Sequence, residues 1–394
     1  MDLHYARFIL QEAPKREVYF IRQRQNVSYI LPFKEAATLI TNLDKRWLQG
    51  IKFAQKALST KYDYLSHWPS KHLRQQTERL VDPRLHKCLA NSIQSPIYIH
   101  SGHGTLHHLD LHIQIKQQLA ADMVYYLHDL IPIEFPEYTN NPNAVAMHQR
   151  RLQTMATTGS LILANSEDSR KKFLDYCSNH RLPQPNTDVL LIGVEQTFIN
   201  AANAPQQALP VRFTSLVNSV YFITIGTIEA RKNHLSLLHL WRQLAEELGD
   251  QCPKLVIVGK RGWKADHIFH LLDSSPALKK TVIEVQDAND QEMLSLTQHA
   301  CALLFPSFAE GWGMPLAEAL TLKTPAICSD LPALRECGRN HCIYLNPIDS
   351  LSWKMAILSA LNNEIPRKNT YLPDTWDRHL HKLNTHLLSL ETGN

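Results

Sequence analysis

Two glutamates, Glu310 and Glu318, stand eight positions apart in FPSFAEGWGMPLAEAL, residues 305–320, across a turn that holds Gly311, Gly313 and Pro315. One continuous helix does not tolerate two glycines and a proline at that spacing. CALLFPS before the turn reads as a buried strand, and Pro315 suits the first position of the helix after it. In open α/β sheets the carboxyl ends of parallel strands are where ligands bind. Glycines there let backbone amides approach a ligand, and a helix start offers free N–H groups to an anion. Glu310 falls on the loop and Glu318 in the first turns of the helix, while Leu316, Ala319 and Leu320 take the buried face. Carboxylates accept hydrogen bonds from paired hydroxyls, so the two acids suit polyhydroxylated ligands such as a sugar and a ribose. The plainer alternative is acids that only complement a helix dipole.

A second group lies in GTIEARKNH, residues 226–234. Arg231 and Lys232 precede a helix expected to be capped by Asn233, a place where the dipole disfavours cations. The pattern suggests a missing anion, such as a diphosphate held by cations and amides together; simple solvation is the alternative. A third group is HSGHGTLHHLDLH, residues 100–112, with His100, His103, His107, His108 and His112. Its spacing matches no standard zinc motif, and Gly102 and Gly104 mark a loop, so a wall of an acceptor cleft is preferred to a metal centre. GWGMPL and GHGTLH lack the third glycine of a dinucleotide fingerprint, and the chain contains no D-x-D motif.

These residues need elements to position them. From Ser219 onward, SVYFITI, KLVIVG, TVIEV, CALLFPS, TPAICS and CIYLN read as buried strands separated by helical periods, which is the pattern of a doubly wound parallel sheet. The helix after Ile225 shows an apolar face at Leu235, Leu238, Trp241, Ala245 and Leu248. In the first half, EVYFIR, SPIYIH, MVYYLHD, SLILANS and DVLLIG are plausible strands of a second α/β domain. The expected organisation is a first domain over residues 1–200, a linker over 201–217, a second domain over 218–365 and a helical tail over 366–394 that packs back through Trp376, Leu380, Leu383 and Leu387.

With 394 residues and 44% apolar composition the chain can build two ordinary cores. Asp2 stands where a secretory signal would be basic, and no run approaches a membrane span, so a cytoplasmic protein is expected. Seven scattered cysteines without a C-x-x-C pair indicate neither a disulfide framework nor a zinc ribbon. The first hundred residues carry 16 basic against 8 acidic side chains, and the remainder 25 against 29. That excess suits an ordinary solvated face, or peripheral contact with the inner membrane or a polyanionic acceptor. No nucleic-acid motif accompanies it.

TIGTIEARKNHLSLL, LVIVGKRGW and FPSFAEGWGMPLAEAL…TPAICSD resemble the donor-binding domain of glycosyltransferase family 4, retaining enzymes of the GT-B fold. YYLHDLIPIEFPEY, SLILANSEDSR and LLIGVE fit the same resemblance, and YIHSGHGTL resembles a branch that assembles bacterial polysaccharides. About residues 95–350 are covered. The resemblance implies two Rossmann-like domains facing a cleft, with Arg231, Lys232 and Gly226 at the donor diphosphate and Glu310 at the transferring sugar. It implies amides of Gly311, Trp312, Gly313 and Met314 toward sugar and phosphates, Glu318 on the nucleotide ribose, and Val285 and Gln286 bordering the base. His128 matches the histidine that faces the sugar from the other domain, and Gly102, His103 and Gly104 form the acceptor-side loop.

The implied activity is transfer from a GDP- or UDP-linked sugar, acting as co-substrate, to a growing glycan such as O-antigen, capsule or exopolysaccharide, lipid-linked or free. No cofactor and no metal are expected, since Arg231, Lys232 and helix amides can stabilise the leaving diphosphate. Two other readings compete: a catalytically silent relative that binds glycan or nucleotide, and a phosphorylase-like enzyme, which would need a pyridoxal-binding lysine not identifiable here. The chain departs from the family at its start. MDLHYARFILQ reads as the first helix, with Leu3, Ala6 and Leu10 on one face, so the usual first strand and glycine loop are expected upstream of Met1.

Overall fold

Strands whose side chains are apolar on both faces must be covered on both faces, and that requirement shapes each half of this molecule. The computed structural model describes residues 1–12, 18, 20–24, 27–31, 33–48, 96–206, 208–367 and 370–392. Much of the basic first hundred residues lies outside them.

The first half holds four parallel strands in chain order, β3 (Ile97–His100), β4 (Asp122–Leu127), β5 (Leu161–Ala164) and β6 (Asn186–Val189). An antiparallel pair, β1 (Phe20–Arg24) and β2 (Val27–Leu31), forms a separate sheet. Alternation along β4 divides the packing. Met123, Tyr125 and Leu127 point to a layer containing Leu111, Leu152 and Phe173. Val124 and Tyr126 point to the opposite layer, where Tyr5 and Phe8 of the first helix (Asp2–Glu12) meet Trp376, Leu383 and Leu387 of the last helix (Trp376–Thr392). The tail therefore packs back onto the first sheet, although it follows the second half in sequence.

The second half is a six-stranded parallel sheet in the order β12-β11-β10-β7-β8-β9, built from β7 (Tyr221–Ile225), β8 (Lys254–Val258), β9 (Val282–Val285), β10 (Leu303–Phe305), β11 (Ala326–Ser329) and β12 (Ile343–Leu345). The chain lays down β7, β8 and β9 in one direction, then returns to place β10 on the other side of β7. Between β7 and β10 lies the switch point, the place at which sheets of this kind bind ligands. Tyr221, Ile223 and Ile225 fill one core layer and Phe222 the other.

Three details differ from the expectations. DVLLIG contributes only Asp188 and Val189 to a strand, because register with β5 ends there and Leu190 onward leaves the sheet for the second half, where Val194 bridges Thr375. The segment 201–217 is no free tether: it carries the end of helix Gln196–Ala202 and a 3-10 turn whose Phe213 and Leu216 are buried in the second core. The helix His234–Leu248 buries Leu237, Leu238, Leu240, Trp241 and Leu244, with Leu235, Ala245 and Leu248 at the margin. Helices Pro276–Thr281 and Ser350–Leu361 pack against it and widen its apolar face. Among the described residues no helix is long and apolar enough to cross a membrane.

Candidate functional site

Because every strand of a parallel sheet points the same way, the loops after β7 and β10 emerge together at the switch point. They are stitched to each other: Phe308 N–H donates to the Arg231 carbonyl at 2.8 Å, and Arg231 Nη1 donates to the Ala309 carbonyl at 2.6 Å. This closure brings three residues singled out in the sequence into one cluster. Lys232 Nζ lies 2.6 Å from Glu310 Oε1, and Arg231 Nη1 lies 3.2 Å from Glu310 Oε2. Burial works against the Glu310 carboxylate, yet Lys232 and Arg231 outweigh it and hold its pKa below the usual range.

The cluster corrects the reasoning that Arg231 and Lys232 lack an anion. Glu310 serves both, and Glu229, nearly fully buried, binds Arg231 Nη2 at 2.8 Å. Asn233 stands at the helix cap as expected, but its side chain bonds no backbone amide of the helix. It occupies the cap position in a left-handed conformation with φ 55°, and its Oδ1 accepts from the Ser236 hydroxyl while its amide donates to the Pro347 carbonyl. Gly226 closes β7 beside the aliphatic stem of Lys232.

After β10, Gly313 takes φ 105° and opens helix Met314–Thr321, with Pro315 at its second position. A β-carbon there would be strained by the backbone and would meet Leu334 at 2.6 Å. Trp312 is buried in the second core with its indole nitrogen unpaired, and Met314 lies against the same core. Glu318, half-buried one turn into the helix, has its pKa pushed up to about 8, first by burial and then by Asp290 and Glu195. Val285 is a core side chain, so only its backbone and the exposed Gln286 stand at the end of β9.

Gly311 is where the halves meet. A β-carbon on it would come within 2.6 Å of the His128 carbonyl and 3.1 Å of the Asn165 amide nitrogen, so glycine permits this approach. His128 follows β4, and its Nε2 is 2.9 Å from the Ser101 carbonyl, which fixes Nε2 as the protonated nitrogen. Its ring lies edge to face with Tyr126 at 5.2 Å and with His103 at 4.8 Å. The loop of Gly102, His103 and Gly104 thus stands beside His128. His103 also contacts His148 at 5.6 Å; burial, with the neighbouring imidazoles, pushes the His103 pKa down to about 3. His148 is likewise lowered by burial, while its Nε2 lies 2.9 Å from the Asp129 carbonyl. His100 and His112 pack together farther back, His112 bonded to the Tyr125 hydroxyl. Among the described residues no three His, Cys, Asp or Glu side chains are arranged to hold a metal ion.

Sequence reasoning missed Glu229, Glu195 and Asp290. Glu229 lay inside the quoted GTIEARKNH, where an acid two residues before an arginine was the available signal. Glu195 closes the quoted LLIGVE, where nothing set the acid apart, and Asp290 comes from another element and carried no signal.

Residues 210–371 match the family described as glycosyl transferases group 1. The chain is 28% identical over 250 residues to the serotype-specific mannosyltransferase WbdA of Escherichia coli, covering 59% of this chain and 29% of that protein. It is 26% identical over 238 residues to O-antigen chain mannosyltransferase B of Escherichia coli, covering 60% of each. The chain therefore spans under a third of the first relative and three fifths of the second. Its structure resembles an α,α-trehalose-phosphate synthase (UDP-forming) from Burkholderia vietnamiensis, with a TM-score of 0.58 at 11% identity over 96% of this chain and 89% of that one. At that identity the likeness shows the fold, which is GT-B.

Proposed function

We propose that this chain is a metal-independent, retaining glycosyltransferase of family 4, which moves a hexose, mannose in the first instance, from a GDP- or UDP-linked donor to a growing bacterial glycan. The observation that carries this reading is the meeting of Arg231, Lys232 and Glu310 at the switch point with His128 opposed across Gly311. The likeness to mannosyltransferases supports the choice of sugar and of an O-antigen-like acceptor.

In the proposed reaction the bond from the anomeric carbon to the donor phosphate oxygen breaks as the acceptor hydroxyl bonds to that carbon from the same face. The hydroxyl proton passes to the departing phosphate oxygen, and the nucleoside diphosphate leaves. Negative charge grows on the diphosphate, so the remaining donors of Arg231 and Lys232 act where stabilisation counts most. Glu310 orients both cations and accepts from sugar hydroxyls, and Glu318 accepts from the ribose. His128, holding its proton toward Ser101, turns its other nitrogen and ring to the sugar. No cofactor enters. A place at the cytoplasmic face of the inner membrane, with a lipid-linked acceptor, belongs to the same proposal.

The test is a panel of GDP- and UDP-sugars screened by thermal stabilisation and then by transfer. A donor at a hundred times its dissociation constant should add about 2.7 kcal/mol. Anomeric NMR of the product should show retention, and EDTA should leave turnover unchanged. Stabilisation without transfer across the panel would favour the silent, nucleotide-binding relative instead.

A further inference from the structure

A helix leaves its first N–H groups without partners inside itself. Helix Glu167–Asn179 of the first half begins after Ser166, whose hydroxyl accepts from the Ser169 N–H at 3.1 Å. The two preceding amides are met from the other half of the molecule. The Glu167 N–H donates to both carboxylate oxygens of Glu336 at 2.8 Å, and the Asp168 N–H donates to the same carboxylate. An acid docked there is favoured by the dipole as well as by the bonds. The acids nearest to it are otherwise engaged: Arg170 binds the Glu167 carboxylate at 2.6 Å, and Lys172 binds Asp168 at 2.8 Å. Burial first, with the repulsion left from Glu167 and Asp168, still raises the Glu336 pKa against the pull of the two amides.

Glu336 is carried by helix Pro332–Gly338, which touches the glycine loop with other residues. Leu334 packs over Gly313, and Cys337 Sγ donates to the Gly313 carbonyl at 3.6 Å. One short helix therefore grips the Gly311–Met314 loop and the first half together. Gly311 meets the backbone of His128 and the side chain of Asn165, directly before Ser166. The two contacts bracket the same stretch of the first half.

We propose that Glu336 is a positioning residue: docked on the helix that starts at Glu167, it sets the approach of His128 to the Gly311–Met314 loop and ties that loop to the first half. Its consequence for catalysis rests on the function proposed above; the docking itself does not. Hydrogen exchange on the full chain reads the docking directly. Glu336→Ala should speed exchange of the Glu167 and Asp168 amides about tenfold or more, the scale of a lost charged hydrogen bond, and leave residues 171–179 unchanged. Glu336→Gln, which keeps the shape and one acceptor oxygen, should fall between and covers the case in which the alanine variant folds poorly. With a donor in hand, kcat should drop about tenfold while UDP or GDP affinity, measured by calorimetry, stays within about twofold.

Unchanged exchange at Glu167 and Asp168 in both variants overturns the docking, and faster exchange with unaltered kcat overturns the positioning role. A wild-type chain that transfers no sugar fails the functional reading, and the exchange result still decides whether Glu336 docks.

Discussion

The two walls that meet at Gly311 differ in how they hold charge. On the wall built by the loops after β7 and β10 the charged groups are retained and paired, Arg231 with Glu229 and Glu310, Lys232 with Glu310. On the wall that gathers around His128 burial strips charge away, so that His103 and His112 are pushed down to about 3 and His148 is lowered. In the proposed reaction a departing diphosphate would need fixed positive charge, whereas a neutral sugar would need donors and acceptors that attract no counter-ion. The division follows from sequence: short loops from adjacent strands gather Arg231, Lys232 and Glu310, while a histidine-rich loop folds beside His128, and His128 and His148 bond backbone carbonyls.

The contrast is broken most severely on the charged wall. Lys232→Ala should lower transfer about 100- to 1000-fold, the usual effect of removing one group that stabilises developing negative charge, and Glu310→Gln should do the same by releasing both cations. Initial rates with saturating donor check this, and wild-type turnover in either variant would remove the cluster from the mechanism. On the neutral wall His128→Ala should cost about 100-fold in transfer, with nucleotide affinity nearly unchanged. A parallel loss of nucleotide binding would place His128 on the donor instead.

The neutral wall has its own signature in pH. His103 and His112 have folded pKa values depressed below 6.5, so their stabilising contribution is present above about 6.5 and is lost as pH falls toward 3. Over that window the unfolded chain takes up protons that the folded chain refuses. Unfolding free energy measured from pH 7 to 4 should therefore decline, and His112→Gln should flatten the slope by about one proton. An unaltered slope would mean that His112 titrates normally.

The second sheet was legible because its strands are short runs of mainly apolar residues separated by helical periods, and Arg231, Lys232 and Glu310 because they lie in loops following such strands. The seam between the halves was not. Nothing in SLILANSEDSR indicates that Glu336, far along the chain, caps the helix it begins, and nothing in LLIGVE places Glu195 near Glu318. Polar contacts across domains have no local period to reveal them. The order of β7 and β10 in the sheet was likewise unreadable, and it is that order which makes the loops neighbours.

The smallest effect should come from Glu318, where the charged wall behaves like the neutral one. Burial first, then Asp290 and Glu195, raises its pKa from 4.5 to about 8, so near neutrality it is largely protonated. The sign is opposite to that of the histidines: Glu318 favours the folded chain fully below about 4.5 and loses that contribution as pH climbs through 8. Glu318→Gln mimics the neutral acid, so its stability should gain on the wild type between pH 5 and 8 and then level off. Nucleotide affinity should move the other way. A carboxylate accepts ribose hydroxyls better than an amide does, so the deficit of the variant should be small at pH 6 and reach about tenfold at pH 9, the scale of one lost hydrogen bond. Calorimetry with GDP and UDP at the two pH values measures it. A deficit of equal size at both would mean that Glu318 is ionised throughout, and that the crowding by Asp290 and Glu195 is relieved by some other group.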